Sequence, residues 1–252
     1  MSNNKENTPL LPGFQALFKG RPNISQNELI KRRISKIQQY QIKEFRQLFS
    51  ECIPGRLFST SYGKNFSRSR IYPLEITFWA FLNQILLNNT SCSEIVKKVQ
   101  AWRIYRKLPA QSSATGAYCQ AKKKLSLSFL NMIFKNTIKV LSTKEKDSDF
   151  WCGRIVKVMD GTCLSMPDTK ENQKIYPQNG EMKPGCGFPQ LNMVAIFSLA
   201  TGALLGYAKG NKHSGENRLW KKLFGLLKKD DIVLGDRVYL SHMNIAILSN
   251  LN

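Results

Sequence analysis

Two aspartates hold the positions where this 252-residue chain could do chemistry. Asp160 closes the β-branched run Val156-Lys157-Val158-Met159, and Asp236 closes Ile232-Val233-Leu234-Gly235. Both read as acids at the C-terminal ends of apolar strands. In an open α/β sheet, sites gather at those ends, near points where strand order reverses. If the two strands are parallel neighbours, the carboxylates converge. Paired carboxylates suit Mg²⁺ or Mn²⁺, hard cations that take oxygen ligands and keep several waters. Two such ions about 3.5–4 Å apart can activate an attacking oxygen and stabilise a leaving one in phosphoryl transfer. Spacing alone leaves a second reading open, because an acid after a strand also serves as a turn residue or helix cap. Asp168 and Glu171 could approach the same site, although Met166-Pro167-Asp168-Thr169 reads as a turn and cap. Glu216 reads as an acid favoured by the start of a helix. Asp230 and Asp231 read as the entry to the second strand. With only two histidines, His213 and His242, and six cysteines lacking any C-x-x-C pair, a structural zinc site is not expected.

The elements that must position these acids follow from periodicity. Residues 154–159 form one strand. Leu191–Leu199 and Ala203–Lys209 form an antiparallel hairpin about Ala200-Thr201-Gly202. Glu216–Leu227 is helical, with Leu219, Trp220, Leu223, Phe224 and Leu227 on one stripe. Residues 231–236 are a short strand, and Tyr239–Leu251 begins a further helix. The order strand, hairpin, helix, strand is that of the first part of an α/β or ribonuclease-H-like sheet, over residues 150–252. Upstream, residues 1–25 read as a flexible tail and residues 26–143 as a run of helices: Gln26–Cys52, Leu74–Asn88, Ser93 to about Arg106, Thr115–Lys124 and Phe129–Leu141. The whole is α/β, or α+β counting the helical region, with a charged linker at 144–149.

Charge gives the front region its meaning. The chain carries 38 Lys and Arg against 17 Asp and Glu, a net +21. Residues 1–150 hold 25 basic and 9 acidic residues; the remainder holds 13 and 8. Such a field favours polyanions, with nucleic acid the first candidate. The basic positions expected to face DNA are Lys31, Arg32 and Arg33, then Arg68 and Arg70 in a break rich in Gly and Ser. Lys97, Lys98, Lys122, Lys123, Lys124 and, beside the second aspartate, Arg237 complete the set. The alternatives are solvated helix faces or an all-helical protein-interaction domain. A chain of this length needs no disulfide scaffold, and the cysteines read as free thiols and small core residues. No signal peptide is expected from the polar first residues, and the apolar run Ile76–Leu87 is too short to span a bilayer.

The text around the aspartates adds a resemblance. Val158-Met159-Asp160-Gly161-Thr162, Met166-Pro167-Asp168-Thr169-Lys170-Glu171-Asn172, Tyr176-Pro177-Gln178, Lys183–Pro189, Ser198–Gly202 and Leu234-Gly235-Asp236-Arg237-Val238-Tyr239 occur in order. Upstream, Phe78–Gln84, Ser91-Cys92 and Ala117–Ala121 belong to the same pattern. Over about residues 45–252 the chain resembles DDE transposases of the insertion-sequence-four family. The resemblance implies a ribonuclease-H-like core behind a helical DNA-binding region. It matches Asp160 to the first catalytic aspartate and Asp236 to the second, both ligating Mg²⁺ (or Mn²⁺), with two ions in the complete enzyme. It implies cleavage at element ends by water and joining of the freed 3′-hydroxyl to target DNA. The implied partners are double-stranded DNA, namely terminal inverted repeats and target, and a second protomer in a synaptic complex. No membrane role follows, and the expected place is the cytoplasm, on the bacterial nucleoid. The family's third acid is a glutamate downstream in Tyr-x₂-Arg-x₃-Glu-x₆-Lys, and no glutamate follows Glu216 here. The expectation is therefore a front part of a transposase, truncated before the third acid and inactive alone. The alternatives are a non-catalytic DNA-binding remnant that inhibits transposition, or a nuclease on the same ribonuclease-H-like core.

Overall fold

The computed structural model describes residues 42–58, 66, 71–87, 90–109, 111–181, 183, 185–239 and 241–249. The expected tail over 1–25 and the start of the Gln26–Cys52 helix lie outside them, as do Lys31, Arg32, Arg33, Arg68 and Arg70. The chain divides into two compact units, with the boundary between Val140 and Leu141.

The first unit is helical: α1 (Ile42–Leu48), α2 (Leu74–Leu86), α3 (Cys92–Tyr105), α4 (Gly116–Lys123) and α5 (Leu127–Ser142). Pro73 precedes α2 with φ −66°, a ring-fixed angle already suited to helix entry. Thr77 is fully buried, yet its hydroxyl donates to the Tyr72 and Pro73 carbonyls, so its desolvation is offset. α3 opens on a reciprocal cap. The Glu94 amide donates to Ser91 Oγ at 3.2 Å, and the Ser91 amide donates to Glu94 Oε2 at 3.0 Å. The core is aromatic: Phe58, Phe78, Trp79 and Phe129 meet at centroid distances of 5.3–5.9 Å, Phe78 and Phe129 edge to face. Among the described residues no helix is long and apolar enough to cross a membrane.

The second unit is a mixed four-stranded sheet in the order β3-β2-β1-β4. Its strands are β1 (Val156–Ser165), β2 (Gln190–Ser198), β3 (Leu204–Gly210) and β4 (Ile232–Leu234). β2 runs antiparallel to both β1 and β3, whereas β4 runs parallel to β1. Helix α6 (Lys170–Ile175) sits in the β1–β2 connection, α7 (Glu216–Lys221) follows β3, and α8 (His242–Ser249) follows β4. The β2–β3 turn is closed by Gly202 at φ +69°, where a side chain would be strained. One sheet face packs Met159, Val194, Ile196 and Ala208 against Leu219, Trp220, Leu223, Phe224 and Tyr239. This helical-plus-sheet arrangement is the α+β, partial ribonuclease-H-like architecture expected.

Several element boundaries differ from expectation. β1 does not stop at Asp160 but continues to Ser165, because β2 still offers partners as far as Gln190 after β4 has ended. The helix from Glu216 is six residues long, giving way to a 3-10 turn at Phe224–Leu226 within the same apolar stripe. β4 is three residues long, since pairing with β1 covers only Ile232–Leu234. Tyr239 ends a 3-10 turn, Arg237–Tyr239, and the last helix starts at His242.

Candidate active site

Register decides where the two aspartates stand. β1 and β4 pair in parallel as Val156–Ile232, Lys157–Val233 and Val158–Leu234. Two residues beyond the last rung come Asp160, still within β1, and Asp236, just past the end of β4. Side chains alternate along a strand, so Asp160 shares a face of β1 with Val156 and Val158, and Gly161 lies on the Met159 face. Both aspartates are exposed. The Gly161 amide donates to Asp160 Oδ1 at 2.8 Å, fixing one carboxylate oxygen against its own backbone.

A constriction lies beside Gly161. A Cβ on that residue would fall 2.6 Å from the Tyr239 hydroxyl and 2.7 Å from Glu216 Oε1. Only glycine allows this approach. Tyr239 is buried, and its hydroxyl donates to Glu216 Oε2 at 2.9 Å. Its amide donates to the Asp236 carbonyl at 3.0 Å. Burial pushes the Tyr239 phenol above its ordinary pKa, assisted by the hydrogen bond to Glu216 and the charges of Glu216, Asp160 and Asp236. The phenol therefore stays a proton donor, and the fields of three carboxylates meet at it. Asn244, fully buried, donates from Nδ2 to the Tyr239 carbonyl at 2.8 Å and to Asn217 Oδ1 at 3.1 Å. α7, the turn after β4, and α8 are thereby tied together.

The donor chemistry fits a divalent cation: two exposed carboxylates, hard oxygen donors, each two residues past the last β1–β4 rung. Among the described residues no group of three or more His, Cys, Asp or Glu side chains is arranged to hold a metal ion. The pair would accordingly be completed by water and phosphate oxygens.

The remaining candidates divide. Asp168 accepts from Gln173 Nε2 at 2.8 Å, and it is Thr169, not Asp168, that caps α6. Asp231 is committed to structure: its Oδ2 accepts from the Lys228 amide and from the buried Lys157 ammonium, which also donates to the Leu226 carbonyl. Arg237 is exposed directly after Asp236. In the helical unit Lys97, Lys123 and Lys124 are exposed. Lys98 donates to Asn83 Oδ1, and Lys122 to Gln84 Oε1 while lying over the Tyr118 ring, so both are partly spent within the unit.

The contacts of three residues are not legible in the sequence. Lys157 interrupts an apolar strand, a pattern that calls for a buried partner. Asn244 is the one amide within the apolar stretch of α8. Glu216 was weighed as a helix-start charge, and nothing local indicates that it reaches Tyr239, 23 residues on.

A family model described as the transposase DDE domain matches residues 151–249, a span that contains the sheet and both aspartates. A second model, the replication factor RFC1 C-terminal domain, matches residues 24–185. That span crosses the boundary between the units and stops between β1 and β2, so it outlines no folded unit. The transposase InsG for insertion sequence element IS4 of Escherichia coli (strain K12) is 26% identical over 176 residues. The match covers 69% of this chain and 38% of the relative. No solved structure matches. The transposase DDE match frames the sheet unit, and the similarity to the IS4 transposase extends over 69% of this chain, so what the chain resembles is a DDE transposase of the insertion-sequence-four type.

Proposed function

We propose that this chain works in DNA transposition: it binds DNA through its helical unit and supplies the Asp160–Asp236 pair for Mg²⁺-dependent phosphoryl transfer at element ends. The supporting observation is the parallel register of β1 and β4, with an exposed aspartate two residues past the last shared rung on each chain segment. A divalent cation there would supply Lewis-acid stabilisation of charge on a phosphodiester. The chain's own part is to hold the two carboxylates in place, with Arg237 beside Asp236 to meet a phosphate. Double-stranded DNA, a terminal repeat or a target, is the substrate, and a second protomer is the expected partner in synapsis.

The experiment is Mn²⁺ uptake by the full 252-residue chain, followed by water-proton relaxation, beside a nicking assay on element-end DNA. Uptake abolished by Asp160→Asn and by Asp236→Asn is the expected result. Uptake indifferent to both substitutions would sink the reading. With a pair of carboxylates as its protein ligands, the cation should bind weakly and nicking should be slow.

A second reading is occupancy of element ends without cutting. Exposed Lys97, Arg106, Lys107, Lys123 and Lys124 on the helical unit favour it. Tight DNA binding unchanged in Asp160→Asn, together with no Mg²⁺-dependent nicking, would select it.

A further inference from the structure

Tyr239 touches both acid-bearing segments at once. Its amide is bonded to the Asp236 carbonyl. Its hydroxyl, bonded to Glu216, occupies the space left by the missing side chain of Gly161, the residue after Asp160. The Gly161 amide in turn holds Asp160 Oδ1. A continuous path therefore runs from one carboxylate to the backbone of the other through a single buried ring. The ring is anchored on its far side as well: it stands edge-on to Trp220 at 6.4 Å, and its carbonyl accepts from buried Asn244. Gly235, just before Asp236, allows the same close approach, since a Cβ there would lie 2.7 Å from Met159 Cε.

We propose that Tyr239 and Glu216 are positioning residues that set the separation of Asp160 and Asp236 for a divalent cation. The inference rests on the reading of those aspartates as a metal pair. Glu216 acts through its acceptor oxygen on the phenol, not as a metal ligand, and Tyr239 acts through its hydroxyl and backbone. Glycine at 161 is the complement of this brace, since any side chain there would push the phenol and the carboxylate away.

The test is Mn²⁺ affinity, read by water-proton relaxation on the full chain, for Tyr239→Phe, Glu216→Ala, Glu216→Gln and Gly161→Ala. Loss of an outer-shell partner typically weakens metal binding by about 10–100-fold. A drop of about 10-fold is expected in Tyr239→Phe, Glu216→Ala and Gly161→Ala. Glu216→Gln keeps an acceptor for the phenol and should retain most of the affinity. A Glu216→Gln loss as large as the Ala loss would overturn the positioning role, because it would mean that the charge itself is needed. Unchanged affinity in Tyr239→Phe and Glu216→Ala, with Asp160→Asn still abolishing uptake, would overturn the brace while leaving the metal pair standing. No uptake by the unmutated chain would overturn the metal pair and the brace with it. Glu216 is exposed, so its two variants spare the core and carry the test even where Tyr239→Phe fails to fold.

Discussion

Single side chains here take their properties from one or two neighbours. The Cys92 thiol, at the first position of α3, is held below its ordinary pKa mainly by its hydrogen bond with Gln84 Nε2 at 3.4 Å. Cys119 beside it is pushed up, first by burial and then by its hydrogen bond with Cys92. A lowered pKa populates the thiolate at lower pH, and the thiolate is the reactive form. Alkylation of Cys92 should therefore rise at lower pH than that of Cys119, as followed by peptide mass spectrometry across a pH series. Gln84→Leu should move the Cys92 profile back toward alkaline pH; an unmoved profile would count against the hydrogen bond as the cause. The exposed thiols Cys152, Cys163 and Cys186 will also be modified and serve as internal references. The expectation of cysteines as small core residues therefore holds poorly for these three.

At the scale of elements, the parallel pair β1–β4 is the joint on which the site depends, and it is short. Three rungs are reinforced by a buried ion pair between Lys157 and Asp231, whose side chains are 7% and 5% exposed. Removing one member of such a pair strands a charge away from water and costs about 3–5 kcal/mol. Asp231→Ala should therefore lower the unfolding free energy by about that amount in urea melts. Lys157→Met combined with Asp231→Leu should cost much less than the two single losses together, because a buried pair exchanged for apolar groups is often nearly neutral. Equal additivity would argue that the pair is not coupled. In the other unit, Ser91→Ala removes the cap of α3 and should cost about 1 kcal/mol, measured the same way.

Across the whole molecule, charge is distributed unevenly. Residues 1–150 hold 25 basic and 9 acidic residues. Counterion release makes DNA affinity fall with salt at a log–log slope of about −0.9 per phosphate neutralised. If Lys97, Arg106, Lys107, Lys123 and Lys124 each meet a phosphate, the slope measured by fluorescence anisotropy should be about −4 to −5. Replacing Lys123 and Lys124 by Glu should flatten it by about 2. A slope near zero would remove the helical unit from DNA binding. Replacing Lys98 or Lys122 should change the slope less, since their ammonium groups already face Asn83 and Gln84.

Local patterns determined much of this protein by themselves. The apolar stripe of α2, the hairpin about Gly202, and an acid after each of two β-branched runs were legible because each depends on residues a few places apart. The order of these motifs was also enough to indicate the family. Helix lengths and the extent of β1 were not, because they depend on which neighbour still offers hydrogen bonds. Only the tertiary structure decided that β1 and β4 are parallel neighbours, paired from Val156–Ile232 to Val158–Leu234. Packing likewise joined Lys157 to Asp231, 74 residues away, and Tyr239 to Glu216 across the gap at Gly161. Periodicity records which face of an element is buried, but not what lies opposite. That is decided by volume and unsatisfied polar groups once the elements meet.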